Sequence, residues 1–182
     1  MEKLPLDRAR WPFIALLASA AMLATAHAFE RFLFLAPCPL CYTQRQVYWV
    51  AGGLAILTIM LNWRGAPPKL MAAFCMALGL VFLVGAGYAS YHSLVEWGIL
   101  PAPDTCAAAG RGAVSQNLWD QLNKPIAVPS CADAKWRMIG LSMAGWNAIV
   151  SALLAAASFL SAMRPERTDT ANEPVKLEEE AA

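Results

Sequence analysis

Residues 70 to 95 read LMAAFCMALGLVFLVGAGYASYHSLV, with no Asp, Glu, Lys or Arg among them. A helix on the surface of a soluble domain carries a polar stripe at the 3.6-residue period, and this run carries almost none. A bilayer core takes about 20 consecutive apolar residues per helix, so the run is long enough to cross one. Three further stretches are equally free of charge: Trp11 to Phe29, Gln46 to Trp63 and Met138 to Met163. The whole chain is 58% hydrophobic and 15% charged, whereas soluble domains carry about a quarter charged residues. The pattern predicts an all-α fold, an integral membrane four-helix bundle with helices at about 11–29, 42–62, 70–95 and 138–163. These would form one unit over residues 1–163, with a long extracytoplasmic loop between helices 3 and 4. Trp11 to Phe29 does not read as a cleaved signal, because it exceeds the usual apolar region and runs into bulky Phe32, Leu33 and Phe34.

Basic residues set the orientation. Lys3, Arg8, Arg10, Arg64, Lys69, Arg164, Arg167 and Lys176 lie in short segments on one side. Arg31, Arg45, Arg111, Lys124, Lys135 and Arg137 lie on the other, mostly within the long loop. The density near helix ends favours both termini in the cytoplasm. Whatever the orientation, the first and third loops of a four-span chain share a side. The tail 164–182 is acidic and proline-containing, and a disordered cytoplasmic segment is expected there.

Those two loops, 30–41 and 96–137, hold four of the five cysteines. Cys38 and Cys41 form a C-x-x-C, the spacing of a thiol pair that opens and closes with one thiolate made reactive by its surroundings. Cys106 and Cys131 lie far apart in the only long polar stretch between spans. Disulfides persist outside the cytoplasm and rarely within it, which agrees with the orientation. Cys41 is expected near the start of helix two, where free backbone amides favour an anion. Arg45 is four residues on, on the same helix face, and its guanidinium could approach the Cys41 sulfur. It could equally snorkel outward to water and phosphate. Static disulfides in either pair remain open, since a loop of this length is commonly clipped by one. A zinc site is not expected, because the second pair is widely spaced and neither His27 nor His92 has ligand spacing.

His92 closes helix three, where it could hydrogen-bond a quinone carbonyl, hold the loop base, or simply face water at the interface. Cys75 lies within the third apolar run and reads as a small buried hydrophobe. Val114 to Leu122 has a four-residue apolar repeat and Trp119, suiting either a short amphipathic helix on the bilayer surface or an ordinary loop helix. No nucleic-acid partner is expected.

Pro37-Cys38-Pro39-Leu40-Cys41-Tyr42-Thr43-Gln44-Arg45 resembles the P-C-x-L-C-x-x-x-R signature of the bacterial DsbB family. Tyr91-His92, Glu96, Pro103, Cys106 and Cys131 follow in that family's order. The resemblance implies a quinone-dependent oxidoreductase of the bacterial inner membrane that reoxidises a periplasmic DsbA-like dithiol oxidase. It implies that Cys106 takes the attack of the partner thiol and that Cys131 then exchanges with Cys38. Cys41, freed as a thiolate, would pass electrons to bound quinone, either ubiquinone or menaquinone, drawn from the membrane pool. Arg45 and His92 would contact that cofactor, and no metal is implied. A partner of that class sits near −120 mV as a general property of the class, so only a stronger oxidant can drain it. Gln44 departs from the acidic residue some members carry, and Cys75 has no implied role. Two other readings stand beside this one: a quinone reductase resembling the vitamin K epoxide reductase family, and a membrane scaffold with structural disulfides.

Overall fold

A computed structural model describes residues 7–107 and 130–164. The Val114 to Leu122 segment and the tail beyond Arg164 lie outside the described residues. Four long helices make up the body: α1 (Trp11–Phe32), α2 (Pro39–Trp63), α3 (Pro68–Glu96) and, after a short turn α4 (Asp104–Ala107), the last span α5 (Met143–Met163). All four long helices are apolar and long enough to cross a bilayer, and the protein is a multi-pass membrane protein. α3 packs most extensively on α5, while α2 packs on α1 and α3.

The packing follows the tendency of helices in lipid, with many small and polar residues inside around Leu78 and Phe82 and many large apolar ones outside. Ala15, Ser19, Ala51, Ala55, Ser151, Ala155 and Ser158 are buried, whereas Leu17, Val50, Leu80, Leu83, Leu153 and Leu160 are exposed. A soluble bundle would invert this arrangement. Trp11 Nε1 donates to Ser158 Oγ at 2.9 Å and pins α1 to α5 at the end bearing the termini.

Helix boundaries differ from the sequence reading for local reasons. α1 runs to Phe32, because no helix breaker occurs before Pro37. α2 begins at Pro39, not near residue 42: a proline at the first helical position lacks only an amide that would be unpaired anyway. The last span begins at Met143, not at Met138. Residues 137–142 instead form a hairpin, β1 (Arg137–Met138) paired antiparallel with β2 (Leu141–Ser142). Its turn residues Ile139 and Gly140 have φ of 54° and 80°, the left-handed pair that a two-residue hairpin turn requires. Ser142 then caps α5, its Oγ accepting from Gly145 N at 3.2 Å. Trp146 Nε1 donates to Met138 O at 3.2 Å and folds the hairpin onto the helix.

Close helix approach depends on Gly79, where an added Cβ would lie 2.5 Å from Cε1 of Phe159 on α5. Gly79→Ala should therefore destabilise the bundle by about 1–3 kcal/mol through overpacking. Gly87→Ala, with nothing within 4 Å, should be neutral or stabilising by up to about 1 kcal/mol. Unfolding in mixed micelles titrated with dodecyl sulfate measures both, and equal stability of the two variants would contradict the packing described.

Candidate active site

The site is built around the start of α2. Cys38 is the N-cap residue, and its Sγ accepts from Cys41 N at 3.3 Å, as an oxygen does in the usual cap. That leaves Cys41 in the first turn, with its sulfur 3.0 Å from that of Cys38. Both are free thiols, Cys38 buried and Cys41 partly exposed. The Cys38 thiol is pushed up by its hydrogen bond to the Cys41 sulfur and by burial, so the proton of the pair stays on Cys38.

Cys106, on α4, and Cys131 are joined by a disulfide, with Cα atoms 5.6 Å apart. Both are buried and share one apolar cluster with Cys38, Leu40 and Val95, against which Cys41 and Tyr91 pack. The chain thus brings all four loop cysteines to one place, as the sequence reading requires of a relay. Cys75 lies elsewhere, fully buried, with Ser161 Oγ 3.9 Å from its sulfur.

His92 is buried, not interfacial, at 3% exposure. Its Nε2 lies 3.6 Å from Cys38 Sγ and 3.7 Å from Glu96 Oε1. Spacing along the chain gave no hint of this proximity, because the contact joins α3 to the cap of α2. Cys38, Cys41 and His92 present ligand-type atoms within 4.8 Å of one another, a grouping the sequence reading set aside. On its other side, His92 Nδ1 is 2.8 Å from Gln44 Nε2. The Gln44 Oε1 accepts from Asn147 Nδ2 on α5, and the Asn147 Oδ1 accepts from Tyr48 OH. Gln44, Asn147 and Tyr48 were not anticipated as site residues. Their signal in the sequence is only that each is a polar group inside a bilayer span.

Arg45 is nine-tenths buried, and its hydrogen bonds go to α1: Nη1 to Glu30 Oε2 at 2.6 Å and Nη2 to Ala26 O at 3.2 Å. Its guanidinium carbon also lies 5.6 Å from the Tyr42 ring centre. It neither snorkels away nor hydrogen-bonds the Cys41 sulfur, but anchors the wall of a cavity that both residues line. That cavity, about 360 Å³, has Met22, Leu23, Phe29, Leu35, Trp136 and Val150 as apolar walls. Cys41, Arg45, His92 and Asn147 are among its polar groups, with Gln44, Glu96, Asp133 and Lys135 also on its lining. Phe29 and Trp136 close one side edge to face, with centroids 5.2 Å apart.

A four-span bundle that gathers a C-x-x-C thiol pair, a second disulfide and an apolar cavity at one end defines a membrane-embedded thiol–disulfide oxidoreductase. The family model described as "Disulfide bond formation protein DsbB" matches residues 8–161. Among curated relatives, Disulfide bond formation protein B of Dechloromonas aromatica (strain RCB) is 30% identical over 155 residues, covering 83% of this chain and 90% of that protein. The proteins of the same name from Marinobacter nauticus (30% identical, 80% and 86% covered) and Nitrosospira multiformis (34% identical, 68% and 73% covered) are also similar. No solved structure gives a significant match. The chain belongs to the DsbB family of disulfide bond formation proteins, which are disulfide oxidoreductases.

Because the Cys38 pKa is raised from an ordinary 9.0, the Cys38 thiol stays protonated where a free cysteine ionises, and only the thiolate alkylates. Iodoacetamide should label Cys41 of the reduced protein at least about tenfold faster than Cys38. Raising the pH from about 7 to about 9.5 should not bring Cys38 up to it. Peptide mass spectrometry reads the ratio, and preferential labelling of Cys38 would reverse the proton assignment.

Proposed function

We propose that this protein passes electrons from a periplasmic dithiol oxidase resembling DsbA, through Cys106–Cys131 and then Cys38–Cys41, to a membrane quinone. It works in the bacterial inner membrane with both termini cytoplasmic. The observation that carries the reading is the convergence of four cysteines beside one cavity whose reactive wall holds Cys41, Arg45 and His92. The cavity suits a quinone ring by its chemistry. Its walls are apolar, its size falls in the usual range for small-molecule sites, and Arg45 supplies donors for a carbonyl oxygen. A flavin or nicotinamide would need a soluble binding fold.

The exchange balances as follows. A partner thiolate attacks Cys106 Sγ, forming a mixed disulfide and releasing Cys131 as a thiolate. Cys131 attacks Cys38 in an oxidised Cys38–Cys41 pair, forming a Cys131–Cys38 bond and releasing Cys41 as a thiolate. Bound quinone supplies the acceptor for two electrons and two protons. Cys41 faces the cavity as electron donor, and Arg45 offsets negative charge there. His92 Nε2 lies 3.6 Å from Cys38 Sγ, within reach to exchange a proton with it. The partner's second thiolate resolves the mixed disulfide and releases Cys106 as a thiolate, which attacks Cys131, re-forming Cys106–Cys131 and releasing Cys38. Cys38 and Cys41 are then both reduced, and their reclosure would give two electrons and two protons to a bound quinone. The net change is one dithiol oxidised for one quinone reduced.

In purified protein, Cys41→Ser should abolish quinone reduction and any visible absorbance band raised by added quinone. Cys106→Ala should remove the mixed disulfide with the partner. Normal partner reoxidation by either variant would refute the relay. Arg45→Met removes a charged donor, worth about 1.5–3 kcal/mol for a hydrogen bond to a charged group, so the KM for quinone should rise about 10- to 100-fold. An unchanged KM would place the ring away from Arg45. Impermeant thiol labels in oriented vesicles check the topology, which fails if Cys38 and Cys106 label from opposite sides.

A further inference from the structure

A chain of buried polar side chains runs from the middle of the bundle to the sulfur pair, and three helices build it. Ser151 and Asn147 come from α5, Tyr48 and Gln44 from α2, and His92 from α3. All five are buried. Polar groups inside a bilayer span are costly unless paired, and each of these is paired.

The direction of the chain can be worked out from its His92 end. His92 Nε2 faces two acceptors, the Cys38 sulfur at 3.6 Å and the Glu96 carboxylate at 3.7 Å. A ring nitrogen facing two acceptors carries the hydrogen, so Nδ1 is left as an acceptor. Nδ1 therefore needs a donor, and the group 2.8 Å away is the Gln44 amide nitrogen. With that nitrogen turned to His92, Gln44 Oε1 is left to accept from Asn147 Nδ2. Asn147 Oδ1 in turn accepts from Tyr48 OH and, at 3.3 Å, from Ser151 Oγ. The hydroxyls of Tyr48 and Ser151, which can donate or accept, fit the orientation that the His92 end sets. Of the other charged groups nearby, Arg45 and Glu30 are occupied with each other, and Asp133 and Lys135 lie on the cavity lining.

We propose that Gln44 and Asn147 are positioning residues that lock the His92 imidazole as its neutral Nε2–H tautomer, aiming a proton at Cys38. A glutamine donates to Nδ1 and so holds this tautomer, which an ionised carboxylate would not. An acidic residue at position 44 would accept from Nδ1–H, favour the other tautomer or the imidazolium, and turn a lone pair toward the sulfur. The lock also explains how the Cys38–Cys41–His92 grouping differs from a metal site, because the ring nitrogen facing the sulfurs carries hydrogen. Hydrogen bonds that all point the same way polarise one another, so the sulfur pair feels the whole chain and not one contact. The consequence for turnover rests on the thiol-to-quinone reading, while the tautomer itself does not.

The test uses full-length reduced protein in detergent, carrying His27→Gln so that His92 is the only imidazole, with ¹⁵N-labelled histidine. At mildly alkaline pH the expected spectrum has one protonated nitrogen, Nε2, and one pyridine-like nitrogen, Nδ1. Gln44→Glu should move the proton to Nδ1 or protonate both nitrogens. Asn147→Asp, which takes away the donor that orients Gln44, should give a mixture. Quinone reduction should fall about tenfold in both variants, the worth of one buried hydrogen bond. Helicity and melting of each variant are followed by circular dichroism, and the tautomer is read only from folded protein. A wild-type ring protonated at Nδ1 overturns the proposal, as does a Gln44→Glu ring unchanged from wild type. An Nε2–H ring that switches in Gln44→Glu, in a protein that reduces no quinone, upholds the lock and removes the thiol-to-quinone reading alone.

Discussion

The sulfur cap on α2 sets everything else in register. Cys38 Sγ takes the amide of Cys41, and Pro39 holds the first helical φ, so α2 starts at a fixed rotation about its axis. From there the helix repeat places Cys41, Gln44, Arg45 and Tyr48 along one side, at i, i+3, i+4 and i+7. Had the helix started at residue 42, Cys41 would lie outside the helix and its sulfur would no longer sit over the first turn. The cap also holds the two sulfurs 3.0 Å apart before any bond forms between them, so closing the pair needs little backbone movement.

That rigid pair meets a looser one. Cys106 sits on a single helical turn and Cys131 in irregular chain, yet their disulfide is buried against Cys38, Leu40 and Val95. In the proposed relay, an outside thiolate would reach Cys106 only if this cluster opened, whereas exchange with Cys38 would need it closed. The fold mounts one pair on a capped helix and the other on a single helical turn and irregular chain.

Much of this was legible in the chain, and the boundary is physical. Spans were readable because charge is excluded from hydrocarbon, so their absence from residues 70–95 speaks without reference to neighbours. The thiol pairs were readable because C-x-x-C spacing and loop sidedness are local or topological properties. The start of the last span was hidden, since Met138 to Ser142 is as apolar as a helix, and only the left-handed φ of Ile139 and Gly140 turns it into a hairpin. Arg45 was correctly placed on the Cys41 face, but its tie to Glu30 depends on how α1 crosses α2. Gln44 and Asn147, 103 residues apart, could not be paired by any local pattern.

The tie between Arg45 and Glu30 bears on what the cavity can hold. A guanidinium in an apolar wall with no counter-charge would be costly, and a ligand's own negative charge would then be drawn in strongly. With Glu30 Oε2 at 2.6 Å, the charge is already balanced, so the wall neither demands an anion nor repels a neutral ring. Such a site favours a ligand that arrives neutral and gains electron density only after binding, because the five donors of the fork leave hydrogen available beyond those given to Glu30 and Ala26. Neutral arrival suits a molecule dissolved in lipid, and Met22, Leu23 and Val150 give the cavity apolar walls to receive it. The pairing of Arg45 with α1 is thus what reconciles a permanent cation with a cavity of largely apolar walls.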